Sequence, residues 1–384
     1  MSMRYRLTCL TPLLVGDGRK LSPIDYMVWK DQVNVLDQWR IFRLLAKGPR
    51  LDGYLSQLKR ADKLDFASWG GFAQNFAGRR IPFESPAYSG YWNRASGESL
   101  HIPTFATSAG GPYVPGTAIK GALRTGMVCA HWKSGMLNDV AARTQGDRVP
   151  RRLAEAPEEQ ALGNAGVSRM RLVSVADSTP VTHAGFKVYL LRVSTLAARG
   201  GSYALGWKQM RGGVDGSRPD DSTPIFAEMA PPGFTFEGDW QEKTFFTQPE
   251  IRRAIRWQES FDRSRIFEAA NDYAARLLAA HMQYAAWTRL DLLAGQIEEL
   301  EQRLAQARQA GQCLLSLGWG GGLLSKSAWL DTGDPTYRQI LQQVSLYGKA
   351  IGSNLPFPKT RRIVFLNNKP ASLPGWALLE VKSS

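Results

Sequence analysis

Cysteine and histidine are scarce in this chain, with three Cys and four His among 384 residues. Cys9, Cys129 and Cys313 are odd in number, far apart and in no C-x-x-C pair, which argues against a disulfide framework and a zinc site and suits a reducing, cytoplasmic setting. His101, His131, His183 and His281 show no partnered spacing, and Cys129 and His131, two apart on a helix, point to different faces and make no nucleophile pair. Each His is read as structural. Long hydrophobic runs are lacking too: nothing approaches the ~20 apolar residues of a membrane helix and no signal-peptide pattern opens the sequence, so no membrane partner is expected. Acidic charge is the remaining shortage. Lys and Arg number 48 against 34 Asp and Glu, a net charge of +14 with a pI near 9.8, which favours an anionic partner and nucleic acid first.

What is present is enough apolar residue for a real core, 43% of the chain. Alternation predicts strands at residues 4–11, 168–175, 186–195, 203–210, 363–366 and 376–381, a strand pair over 234–245, and a hairpin over 26–36 turning at Lys30-Asp31-Gln32. Helical spacing appears at 39–47, 51–60, 335–349 and through most of 248–308. There Ile266, Ala270, Tyr273, Leu277, His281 and Ala285 form one face, Leu293, Ile297, Leu300 and Leu304 continue it, and a turn near 287–291 divides the run. Strands separated by helices predict an α+β fold of ferredoxin-like (RRM-like) sheets with helical insertions. A break near residue 200 suggests an N-terminal RRM-like domain, 1–200, and a C-terminal one, 201–384, that carries the long helices and a glycine-rich loop. Residues 135–166, polar, Arg-rich and interrupted by Gly and Pro, read as an irregular insertion.

Four stretches suit a polyanion. In V-P-G-T-A-I-K-G-A-L-R-T-G, residues 114–126, Thr117 is the expected N-cap and Ile119, Leu123, Met127 and Ala130 the buried face. Lys120 and Arg124 form a second stripe, and Gly116 and Gly121 leave the backbone bare. The bland alternative is a solvated basic helix edge. In residues 317–326, Gly318, Gly320, Gly321 and Gly322 around Trp319 offer backbone amides beside a stacking plane, followed by Ser325 and Lys326. Neither stretch is a Walker loop, since Ser325 precedes Lys326 and Lys120 itself precedes Gly121. Gly16, Gly18, Arg19 and Lys20 make a basic loop after the first strand, and Lys359, Arg361 and Arg362 precede a late strand. Aromatic residues Phe66, Trp69, Phe72, Phe76, Phe83, Tyr88, Tyr91 and Trp92, interleaved with Arg79, Arg80 and Arg94, serve either packing or base stacking.

The central stretch resembles the P-G-[ST]-[ST]-[IL]-K-G-x-[IL]-R signature of the RAMP superfamily, the RNA-binding subunits of CRISPR effector complexes. Three further stretches are similar to the terminal backbone subunits, the fifth Csm subunits, of type III-A complexes: L-T-P-L-L-V-G-D-G-R-K-L-S-P-I-D-Y at 10–26, G-W-G-G-G-L-L-S-K-S at 318–327, and F-P-K-T-R-R-I at 357–363 before G-W-A-L-L-E-V. The resemblance implies a non-catalytic subunit that binds the 3′ part of a crRNA, caps the backbone filament and supports crRNA maturation and antiviral defence, with no cofactor and no metal. It assigns Gly16, Gly18, Arg19, Lys20, Gly116, Thr117, Lys120, Arg124, Gly318, Trp319, Gly320, Gly321, Gly322, Ser325, Lys326, Lys359, Arg361 and Arg362 to RNA. It implies as partners crRNA, target RNA, neighbouring Csm backbone subunits and a host 3′-trimming nuclease. By resemblance alone, Lys208, Arg211 and Arg218 are candidates for the tip of a thumb hairpin. The alternative is a metal-assisted endoribonuclease using Asp25, which sits where target-cleaving backbone subunits carry a catalytic Asp; a local turn role is the competing reading.

Overall fold

In the computed structural model, the residues described are 3–46, 50–60, 63–64, 75–144, 152–209, 213–257, 262–344, 347–351 and 355–383. Phe66, Trp69, Phe72 and Arg211 lie outside them. The fold is α+β, built on two antiparallel five-stranded sheets. The first runs, in spatial order, Cys313–Ser316, Trp376–Ser383, Met3–Cys9, Thr235–Glu242 and Val173–Ser178. Along the chain its members read strand Met3–Cys9, helix Gly116–Ala130, strands Val173–Ser178 and Thr235–Glu242, helix Arg263–Thr288 and strand Cys313–Ser316, a βαββαβ succession. The last strand, Trp376–Ser383, is inserted between the first and the Cys313–Ser316 strand, which joins the two ends of the chain.

The second sheet is centred on Lys187–Arg199, flanked by Thr360–Leu366 and then Lys369–Ser372 on one side. Ser202–Trp207 and Ile225–Met229 share its other side. The boundary expected at residue 200 falls at the turn of the hairpin in which Arg199 pairs with Ser202. Both sheets draw strands from either side of it.

Period-two burial explains the first strand, where Met3, Tyr5, Leu7 and Cys9 are buried between exposed Arg4 and half-buried or exposed neighbours. The 26–36 hairpin turns at Lys30 and Asp31, whose φ values of 49° and 56° are those a two-residue turn of this hand requires. The long helix starts at Asp262, whose carboxylate accepts the Arg265 N–H at 2.9 Å, and stops at left-handed Arg289 before Asp291–Gln309 begins. Its expected apolar face is buried from Ile266 to Ala285, as are Leu293, Ile297, Leu300 and Leu304. Gly126 lets the central helix cross it closely, because a Cβ there would lie 2.8 Å from the Ala270 Cα. Asn271 ties the long helix to the first sheet, donating to Gln312 C=O and accepting from Leu314 N–H, both at 2.9 Å.

Two readings are corrected, and one open alternative is resolved. Residues 135–166 are not irregular throughout: Met136–Thr144 and Glu155–Leu162 are helices, and Val140 and Ala141 pack on Ile340 of the Pro335–Gln343 helix. That apolar face is covered by a partner some 200 positions away in the sequence, which local composition cannot show. Ala130 is exposed, and the central helix buries Val128 and Cys129 instead. Among the aromatics, Phe83, Tyr88 and Trp92 are core: the Trp92 indole donates to Tyr26 Oη at 2.9 Å and the Tyr88 hydroxyl to the Phe365 carbonyl at 2.8 Å. Among the described residues, no helix is long and apolar enough to cross a membrane.

Candidate nucleic-acid interface

The central helix begins at Gly116 with Pro115 as N-cap, so Thr117 sits exposed in the first turn and does not cap it. Proline fixes the extended entry, and the acceptor comes from a neighbouring strand: the Gly116 N–H donates to Asp177 Oδ1 at 2.8 Å. A carboxylate therefore already stands at the helix's positive end. Gly116 is buried, and a side chain there would collide with the Val175 carbonyl. Lys120 folds back onto the same strand, its ammonium donating to the Val173 carbonyl at 2.8 Å. Burial, then the nearby charges of Lys243 and Arg124, lower its pKa. Arg124 forms an ion pair with Glu158. Only Gly121 is both exposed and open, with nothing within 4 Å of an added Cβ.

The glycine loop leaves the first sheet after Ser316. Gly318, Gly320 and Gly322 have φ of 78°, 102° and 73°, the left-handed region that penalises any Cβ. Gly318 packs against the Leu14 carbonyl, which also accepts the Trp319 N–H at 2.7 Å, and Gly320 against Pro374. The loop is thus sewn to the segment before Gly16. Gly321 lacks a positive φ; its Cβ would collide with the buried Ser325, whose hydroxyl donates to Gly322 C=O at 3.2 Å. Ser325 supports the loop from inside, whereas Gly322 faces open space.

Between this loop and residues 357–362 lies a cleft of about 740 Å³. Lys208, Lys326, Lys359 and Arg362 line it with Gly320, Gly321 and Gly322, and no Asp or Glu is among the described residues that line it. Among the described residues, none of these four cationic side chains has a hydrogen-bond or ion-pair partner. Arg362 lies with its guanidinium carbon 5.0 Å from the centre of the Trp319 ring, its Nε buried without a partner, and burial lowers its pKa. Desolvation by the cleft walls also lowers that of Lys326, although the residue is exposed at one edge. Arg361, next along the strand, turns the opposite way. It is buried, donates through Nε to His281 Nδ1 at 3.2 Å and through Nη1 to Pro358 and Thr360 carbonyls at 2.6 and 2.9 Å, and lies 4.6 Å over the Tyr284 ring. Burial pushes Arg361 down to about 10 and holds His281 well below its usual value, which keeps that ring neutral. Arg361 braces the cleft from within.

A RAMP superfamily model matches residues 6–325. The chain belongs to the RAMP superfamily. One chain of the cryo-EM structure of a Csm–crRNA–target RNA ternary complex from a type III-A CRISPR–Cas system is similar to this RAMP protein, with a TM-score of 0.68 and 20% identity over 99% of this chain and 100% of that chain. The crystal structure of T. onnurineus Csm5 is similar with a TM-score of 0.60 and 17% identity over 97% and 99% of the two chains. At such identities the likeness is one of fold. No curated protein matches the sequence.

In this RAMP chain, the glycine loop and the Lys359–Arg362 segment meet in one cleft, and the other two stretches stand outside it. Gly16, Gly18, Arg19 and Lys20 are exposed on a loop attached behind Trp319 through Leu14. Gly18 has φ of 92° in open space, Arg19 pairs with Asp17 at 3.4 Å, and Lys20 opens a two-residue strand against Pro103. Lys208 lies at the end of its strand remote from the Gly200-Gly201 turn and lines the cleft, while Arg218 pairs with Asp221 at 3.2 Å. Asp25 Oδ2 accepts from both the N–H and the hydroxyl of Ser22 at 2.7 Å, closing a turn. Among the described residues, no three His, Cys, Asp or Glu side chains form a metal-holding group. The sequence reading missed Asp177 and Glu158 as partners of the central helix, a pairing that only the fold creates.

Proposed function

We propose that this RAMP protein is a non-catalytic RNA-binding subunit of a type III-A Csm effector complex, working in the cytoplasm, that grips the 3′ part of the crRNA, caps the backbone filament and supports crRNA maturation. The observation that carries this is the cleft lined by Lys208, Lys326, Lys359 and Arg362 with no carboxylate among the described residues of its walls. Unpaired cations held together repel one another, and a phosphate backbone relieves that repulsion while releasing its own counterions. Cations and glycine-loop amides contact phosphates and carry no base code, as a subunit that accepts any guide requires. The likeness to a chain of a Csm–crRNA–target RNA complex supports crRNA and target RNA as partners, with neighbouring Csm subunits beside it. Recruitment of a host 3′-trimming nuclease belongs to the same reading.

Co-purification from the native host, followed by sequencing of the bound RNA, tests it. The expected product is repeat-derived RNA, and its absence would overturn the assignment. The non-catalytic half is tested with single-stranded RNA and magnesium: no cleavage is expected. A cut abolished by Asp25→Ala with RNA affinity retained would instead establish the endoribonuclease reading.

A further inference from the structure

A second chamber, of about 440 Å³, adjoins the cleft across Leu323 and Lys326, which line both. Its character is different. Val128, Trp132, Leu137, Val140, Trp329 and Ile340 give it apolar walls, and Glu158, the one carboxylate among the described residues that line it, is already paired with Arg124. The Trp132 and Trp329 rings lie 5.2 Å apart at 42°. Trp329 supplies ring surface to this wall, and its Nε1 is buried in the protein.

We propose that this chamber receives one unstacked nucleobase of the strand whose phosphates lie in the cleft. The inference rests on the RNA-binding reading and adds a base site to it. Lys326 is the hinge of the argument. A phosphate held by its unpaired ammonium stands at the boundary of the two spaces, so the adjoining nucleotide has the chamber beside it. Apolar and indole surfaces accept any base by stacking, because every base has a π-face. The volume falls within the range of small-molecule sites. Gly121 lines the chamber, and a Cβ there meets nothing within 4 Å, which leaves the space open.

Full-length protein bound to single-stranded RNA containing 4-thiouridine, irradiated and mapped by peptide mass spectrometry, provides the test. Adducts are expected on peptides carrying Trp132 or Trp329 as well as on those of the cleft. Gly121→Leu, which projects a side chain into the open chamber, should cut the chamber adducts at least roughly fivefold, the low end of what one base–aromatic stack contributes. Cleft adducts and salt dependence should persist. Trp329→Ala, which removes the stacking ring, should weaken binding of base-bearing RNA while leaving an abasic strand of equal length unaffected. Adducts confined to the cleft, with both variants indistinguishable from the parent, would overturn the base site and leave the phosphate cleft standing. Crosslinking of the chamber to a neighbouring protein subunit instead of RNA would also overturn it. A parent protein that binds no RNA at any salt would bring down the functional reading as well.

Discussion

The central helix and the glycine-loop cleft both present cations beside glycines, yet only the cleft leaves its cations unpaired. Lys120 spends its ammonium on the Val173 carbonyl, Arg124 is neutralised by Glu158, and Asp177 sits on the helix N-terminus. In the cleft, Lys326, Lys359 and Arg362 have no anionic partner among the described residues. The lesson is that a basic motif in sequence does not say whether the fold leaves its cations unpaired. The glycines differ in the same sense. Gly116 and Gly126 are small because protein backbone packs against them, whereas Gly121 and Gly322 face open space.

The largest effect is expected at Gly318, where Val would meet both a φ of 78° and the Leu14 carbonyl. Gly318→Val should cost about 3 kcal/mol or more in chemical denaturation. Gly322→Ala, with equal strain but nothing to strike, should cost only about 1–2 kcal/mol. Next comes Trp319→Ala. The indole is half-buried against the core and carries Arg362 on its face, so about 2–3 kcal/mol of folding stability should go, less than for a full core Trp, together with some RNA affinity. Unfolding and RNA titration of the same protein would show whether the two losses travel together.

A smaller effect concerns the brace behind the cleft. His281 is held neutral in the fold, its pKa depressed, while the unfolded chain protonates it near pH 6.5. The unfolded state therefore binds the extra proton. Stability is fully present above about pH 6.5 and falls below it, by at most about 1.4 kcal/mol per pH unit for this group. Denaturation between pH 7 and 5.5 checks the slope, and His281→Gln, which keeps an acceptor for Arg361, should flatten it. The smallest is Gly121→Ala, which should stabilise the helix by up to about 1 kcal/mol, because nothing opposes the new methyl.

The features legible in the sequence were those written in local periodicity. Tyr5, Leu7 and Cys9 alternate into the first sheet, and the face from Ile266 to Ala285 is buried as its spacing requires. The glycine loop and the Lys359–Arg362 segment were recognisable as chemistry, though not as two walls of one cleft. What stayed hidden was long-range pairing. Val173 lies 53 positions from Lys120 and Glu158 lies 34 from Arg124, so the helix stripe and the cleft cations look alike until the strands are placed. The opposite roles of Arg361 and Arg362 were visible in principle, since neighbours on a strand face opposite sides. Which side was core depended on His281 and Tyr284 of the long helix.

The most direct test of the central claim is the slope of log affinity against log salt for one single-stranded RNA. It should be measured for the parent, for Lys326→Ala with Lys359→Ala and Arg362→Ala, and for Lys120→Ala with Arg124→Ala. At roughly 0.7 per phosphate contact, the cleft variant should flatten the slope by about 2 and the helix variant by less than about 0.7. A folded cleft variant with the parent's slope, beside a helix variant that loses more, would contradict the account.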